Sequence, residues 1–280
     1  MQSGLRRIWL CADDYGISPG VSTAIRELVL RERINAASVM VASPNFSSDE
    51  AFALATLNSD RKRAAIGLHV TLTAPFKPVA GDFAPTRNGQ FMPLNAMLRT
   101  ATARRLQPAR LAIEIAAQVR MFTDAFGHPP DFLDGHQHVQ LFPQVRDVFL
   151  KVAAEEAPRA WVRQCGRGRF SRLHDRKALT LDILSLGFRR KARKLGIMFN
   201  PGFAGTYAFR PDAHIAMLFP RFLAGLPDGG LVMCHPGFVD TELAALDHVT
   251  TLREREFAYF SSDAFARALS RHNVALARPH

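Results

Sequence analysis

Four short runs in this 280-residue sequence set residues capable of acid–base or metal chemistry directly behind an apolar stretch. Asp13 and Asp14 follow Ile8-Trp-Leu-Cys-Ala12. His69 lies in Ile66-Gly-Leu-His-Val70, and Asp134, His136 and His138 lie in Leu133-Asp-Gly-His-Gln-His-Val139. His235 follows Met233-Cys234 and precedes Pro236-Gly237. Each run has an ordinary reading when taken alone. Adjacent aspartates cap turns and helices, and a histidine inside an apolar run packs in a core. His-x-His shares one face only if it is extended, and a histidine before proline can simply end a strand. Taken together they are a different proposition. A carboxylate with two imidazoles is a recognised ligand set for a divalent metal, with positions left open for water and substrate. A second carboxylate beside it is then free for a separate role.

The elements around these runs must bring them to one place. Apolar strands are expected at 7–12, 37–42, 65–72, from Phe132, at 160–165, 196–199 and 230–234, with a last one at 274–277. Between them the apolar spacing is helical. Ser18 caps and Pro19 opens a helix reaching to about Arg33. Further helices are expected at 49–57, 108–126, from Pro143 to about Ala154, at 179–194 and 213–223, with one long helix at 252–271. A loop rich in proline and glycine fills 73–95. Apolar strands alternating with helices predict a parallel sheet covered on its faces. Seven or eight such units fit a single-domain distorted (β/α) TIM-like barrel over residues 1–280, with an open doubly wound sheet as the rival. In a barrel, strand C-termini open on one face, so four strand ends carrying Asp or His converge on one pocket.

Composition excludes several classes. With 48% hydrophobic and 22% charged residues the chain is an ordinary globular one. Nothing approaches the roughly 18 apolar residues of a membrane span. The apolar run behind Arg6-Arg7 is shorter than the about 7–15 residues of a secretory core, so a cytoplasmic location is expected. Three cysteines, Cys11, Cys165 and Cys234, form no C-x-x-C and are expected as reduced thiols, with Cys234 a small buried hydrophobe. Of the net charge of +11, the window Arg159–Lys194 supplies +10, from twelve Lys/Arg against Asp175 and Asp182. That disfavours a uniformly basic nucleic-acid binder and favours a local patch.

The runs Ala12-Asp-Asp-Tyr-Gly16, Gly67-Leu-His69, Asp134-Gly-His136-Gln-His138 through Leu141-Phe-Pro143, and Met233-Cys-His-Pro236 together resemble the YdjC/ChbG-like carbohydrate deacetylase family, which includes the hopanoid-biosynthesis-associated deacetylases. The motifs run in family order across nearly the whole chain and are specific as a set. The pattern departs at Tyr15, where phenylalanine is more usual. The resemblance implies a distorted (β/α) barrel that removes acetyl groups from N-acetylated amino sugars. It implies Asp14, His69 and His136 as ligands of one divalent metal, Asp13 as the base and His235 as the general acid.

The expected reaction is therefore metal-assisted amide hydrolysis of an N-acetylglucosamine-type substrate, free, oligomeric or lipid-linked. Asp13 accepts the proton of the attacking water and His235 protonates the departing amine. Zinc or magnesium suits the ligand set best, and manganese, nickel or cobalt remain open. Asp134 is expected behind an imidazole, orienting it, while His138 is open between that role, substrate contact and packing. The 73–95 loop and the run Phe199–Gly205 are candidates for the pocket wall. Two other classes compete: a metal-dependent phosphoesterase on the same scaffold, and a non-catalytic protein binding anionic surfaces. The cations Arg189, Arg190, Lys191, Arg193 and Lys194 end the 179–194 helix. Basic residues are favoured there by the dipole, but their number also suggests peripheral contact with an anionic membrane or a lipid-linked substrate. No nucleic-acid partner is expected, and a homo-oligomer is compatible with the sequence.

Overall fold

Local chemistry sets the strand ends. In the computed structural model, which describes residues 4–81, 83, 86, 88–167 and 176–279 (176–178 by backbone alone), β1 (Arg6–Tyr15) runs into a turn at Gly16. Ser18 then caps α1 (Pro19–Leu30), its hydroxyl accepting the Val21 N–H at 3.3 Å, with Pro19 at the first turn. β2 (Ala36–Val39), α2 (Ser48–Ala55) and β3 (Ala65–Val70) follow. Next come α3 (Leu94–Thr102), α4 (Pro108–Phe126), β4 (Phe132–Gly135), α5 (Val145–Glu156) and β5 (Trp161–Val162). The chain continues through α6 (Arg176–Lys194), β6 (Phe203–Ala204), α7 (Ile215–Ala224) and β7 (Leu231–Cys234). It closes with α8 (Thr241–Leu246), α9 (Thr251–Ser261), α10 (Asp263–Arg271) and β8 (Val274–Leu276).

All the strand pairings are parallel, in the order β5-β4-β3-β2-β1-β7-β6, with β8 beside the first residues of β1. The two outer strands are drawn together. Val162 bridges Phe199, its N–H donating to Met198 O at 2.9 Å, and the Phe203 N–H donates to Gly166 O at 3.1 Å. The sheet is thus curled into the distorted barrel that the alternating pattern predicts, and one apolar core runs through it from Ile8 to Val274. Gly67 is needed in β3: a Cβ there would sit 2.4 Å from the Phe132 ring of β4. No helix among the described residues is long and apolar enough to cross a membrane.

Several expected elements are corrected. The strand expected at 196–199 is only the Phe199 bridge, and the true β6 lies at Phe203–Ala204. Asn200 takes over local pairing there, its side chain meeting Gln164 and Gly202. The single helix expected at 252–271 is two. Ser262 is extended and its hydroxyl donates to Tyr259 O at 2.7 Å, a local bond that competes with the helix ladder. No helix was expected at α3, although Leu94, Met97, Leu98 and Ala101 recur there at helical spacing, and α8 is too short at six residues to show a period. α8 is fixed by tertiary contact, with Asp240 accepting the N–H groups of Leu243 and of Gly20 on α1.

Candidate active site

Consecutive residues on a strand point to opposite faces, so Asp13 and Asp14 should not both reach one pocket. They do because β1 breaks its register between Ala12 and Tyr15, and Asp14 adopts a left-handed φ of 70°. A bulge of this kind re-aims a side chain at a strand end, and the strained backbone falls at the chemically interesting residue. Both carboxylates end buried, at 1% exposure.

Asp14 meets the two histidines. Its Oδ1 lies 3.3 Å from His69 Nε2 and 3.1 Å from His136 Nδ1. The three donor atoms all fall within 4.8 Å of one another. His69, on β3, is in register with Asp134 on β4, and Asp134 Oδ1 holds the far nitrogen of its ring at 2.6 Å. Ser38 on β2 donates to the same carboxylate and lies 3.0 Å from His69 Nδ1. A carboxylate behind an imidazole fixes the ring and raises its basicity. His136 opens a tight turn after β4, and Phe76 meets its ring edge-on at 5.6 Å between centroids. His138 goes elsewhere. With Gln137 and His138 both left-handed, its ring meets Cys165 Sγ at 3.5 Å and the Phe203 ring edge-on, away from the Asp14 group.

Asp13 has a different partner. Arg163, immediately after β5, forks onto it with Nη1 and Nη2 at 2.7 and 2.8 Å, and Nη2 lies 3.1 Å from Asp134. Arg163 is fully buried, so this cation of the basic window belongs to the barrel interior and not to the surface. Arg253 on α9 is buried too, donating to Asp14 Oδ2 at 2.7 Å and to Asp247. His235, half-buried after β7, meets Phe209 edge-on, and its Nδ1 has no hydrogen-bond partner among the described residues. Its backbone N–H donates to Glu256, which also accepts the Tyr207 hydroxyl at 2.7 Å. Arg163 did follow an apolar strand, the signal that located the other residues. Ser38, Tyr207, Arg253 and Glu256 carried no such signal, because their roles depend on contacts far along the chain. Cys234 is buried as expected, its thiol on Cys11 O.

The electrostatics fit a cation site. Burial works against the Asp13 carboxylate, but Arg163, His69 and His235 outweigh it and hold the carboxyl below the usual range. For Asp14, burial is overcome by Arg253 and by hydrogen bonds from His136 and His69, which hold it well below that range. Burial would strip the proton from His69, yet Asp134 and Asp13 push its pKa up to about 10. Carboxylates crowded around a buried imidazole mark a place whose field favours a cation. Buried charge networks are weak devices for stability, which points to a chemical role. The donor set of one carboxylate and two imidazoles, with a carboxylate behind one ring, is that of a site open to a divalent metal.

Fold and site therefore define a parallel (β/α) barrel with a metal-type donor group and a separate arginine-held carboxylate at its strand C-termini. The family model described as YdjC-like protein matches residues 7–271, and the chain belongs to that family. It is 29% identical over 233 residues to a chitooligosaccharide deacetylase of Citrobacter koseri, covering 82% of this chain and 81% of that one. A chitooligosaccharide deacetylase of Salmonella paratyphi B is 28% identical with the same coverage. Among solved structures, one from Enterococcus faecalis named for cellobiose-phosphate cleavage aligns with a TM-score of 0.75 at 20% identity. That match covers 99% of this chain and 98% of the other. A lactam utilization protein from Thermus thermophilus aligns at 0.53 and 14% identity, covering 99% and 100%.

Proposed function

We propose that this protein is a divalent-metal-dependent N-deacetylase that hydrolyses the acetamido group of an N-acetylglucosamine-type sugar. The observation that carries the reading is the Asp14, His69 and His136 donor group beside an independent, buried Asp13. Carbohydrate deacetylation is also what the relatives matched over four fifths of both chains are named for. Asp14, His69 and His136 would hold the metal, with zinc, magnesium, manganese, nickel and cobalt as candidates. When bound, a divalent ion supplies Lewis-acid polarisation of the acetyl carbonyl and lowers the pKa of water. Asp13 accepts the proton of the attacking water, and Arg163 keeps that carboxylate ionised and fixed in direction. His235 gives a proton to the departing amine, and Glu256 holds its backbone in place. Phosphoester hydrolysis would ask for arginines facing the substrate, whereas Arg163 and Arg253 are both engaged by carboxylates.

The experiment is acetate release from free and oligomeric N-acetylglucosamine, before and after chelation, with each metal restored in turn. Turnover is expected to vanish on chelation and return with at least one ion. Turnover indifferent to chelation, or phosphate released in place of acetate across a mixed panel, would overturn the reading. A second result is expected from His235→Ala. Proton transfer to an amine leaving group is worth about 10²–10⁴-fold, so the amide substrate should suffer by that order. An activated acetyl ester, whose leaving group needs no proton, should suffer far less. Equal losses on both would remove His235 from the acid role.

A further inference from the structure

We propose that the outer face of α6, with its cleft against α5, is a peripheral membrane-binding surface that takes anionic phospholipid headgroups. Ile183, Leu186, Arg190 and Lys194 recur at spacings of three and four, which places them on one helical stripe. Ile183 is 60% exposed and Leu186 51%. Leu195 and Met198, just past the helix end, are 52% and 66% exposed. Three of the eleven large apolar side chains exposed among the described residues, Ile183, Leu186 and Leu195, thus fall on α6 or at its end, while Met198 lines a separate cleft beside Trp9 and Trp161. Scattered exposed hydrophobes are ordinary, but a cluster rimmed by charge marks an interaction surface.

The charge beside the cluster is one-sided. A cleft of about 520 Å³ between α5 and α6 is lined by Arg146, Lys151, Arg190, Lys191 and Lys194, against the single carboxylate of Asp147. Asp147 engages Lys191 and Arg146, and among the described residues no ion pair is found for Arg190 or Lys194. Gly187 permits the cleft its shape, since a Cβ there would meet the Arg146 guanidinium at 2.3 Å. Part of the basic window does not contribute. Arg163 is buried, Arg167 is bound to Asp182, and the Arg193 guanidinium lies over the Phe199 ring. Arg169 and Arg172 lie outside the described residues. The surface that remains is still a set of cations interleaved with apolar side chains, complementary to phosphate heads above acyl chains. A purely electrostatic partner such as nucleic acid would have no use for Ile183, Leu186 and Leu195.

Geometry also says what such contact does. α6 follows β5 and leads to Phe199, which lies parallel to β5, so the helix runs back down the barrel. Its last turns lie toward the strand N-termini, opposite the end that carries Asp14, His69, His136 and His235. Contact there anchors the protein and leaves the catalytic mouth open.

The test is co-sedimentation with vesicles of phosphatidylcholine alone or with a third phosphatidylglycerol. Binding is expected only to the anionic vesicles and should fade as salt shortens the Debye length from about 10 Å at 0.1 M to about 3 Å at 1 M. Neutralising one cation near the surface lowers the partition coefficient about fivefold, so R190Q/K191Q/K194Q should lose about a hundredfold. I183S/L186S should weaken binding without removing its salt dependence. Both variants are expected to keep the unfolding midpoint of the parent. Absence of co-sedimentation at low salt, or equal binding to neutral vesicles, would overturn the proposal. So would displacement by millimolar inorganic phosphate, which would mark a free-anion pocket. Duplex DNA bound with no effect of I183S/L186S would mark a polyanion surface and overturn it likewise.

Discussion

Asp13→Asn is expected to lower kcat for acetate release by about 10²–10⁴-fold, the range a positioned proton acceptor contributes. The substitution keeps the volume of a side chain that is buried and removes its capacity to take a proton. Metal content should stay at the parental level, because Asp13 lies outside the Asp14, His69 and His136 group, and in its own cluster with Cys11 and Asp134 it is held by Arg163. The paired variant Asp14→Asn should behave oppositely, losing metal and activity together. The asparagine amide at position 13 will oppose one N–H of Arg163, so some stability is lost as well; unfolding curves recorded alongside separate that loss from the kinetic one. If Asp13→Asn loses its metal, the two aspartates exchange roles. If turnover falls by less than about tenfold, Asp13 is not the base.

Arg163→Met should give the largest stability loss. The guanidinium sits between Asp13 and Asp134, both buried, and its removal leaves two carboxylates with no arginine between them. Breaking a buried pair from one side costs about 3–5 kcal/mol, because the other charge stays uncompensated. Denaturant titration at neutral pH reads this directly. The pH dependence has a definite sign. Asp13 is held below its unfolded value of about 3.9, so it contributes stability that is fully present above that pH and is lost as pH falls through the lower folded value. Without Arg163, burial dominates and the Asp13 carboxyl moves up. Its stabilising contribution disappears, and the acid limb of activity shifts toward neutral pH. A variant as stable as the parent, with an unmoved acid limb, would show that Arg163 does not hold Asp13 ionised.

The sequence by itself determined the class of fold and which strand ends carry acidic and imidazole side chains. Apolar runs alternating with helical spacing leave a parallel, helix-covered sheet as the economical way to bury them, and Asp or His behind several strands puts reactive groups at one end of it. These signals are local in the chain, which is why they can be read. Tertiary structure alone decided how the charges are divided. Asp13 and Asp14 are neighbours of one type; the bulge brings both to the strand end, and only the surrounding fold gives Asp14 the histidines and Asp13 the Arg163 fork. His136 and His138 are equally plausible donors by spacing, and the left-handed pair Gln137-His138 turns the second toward Cys165. Arg163 counts in the sequence as one more cation of a basic window, yet in the fold it is buried against Asp13, 150 positions away. Arg253 reaches Asp14 across 239 positions. The charge of a residue is written in the chain, but its partner and its solvent exposure are fixed only when distant strands and helices close around it.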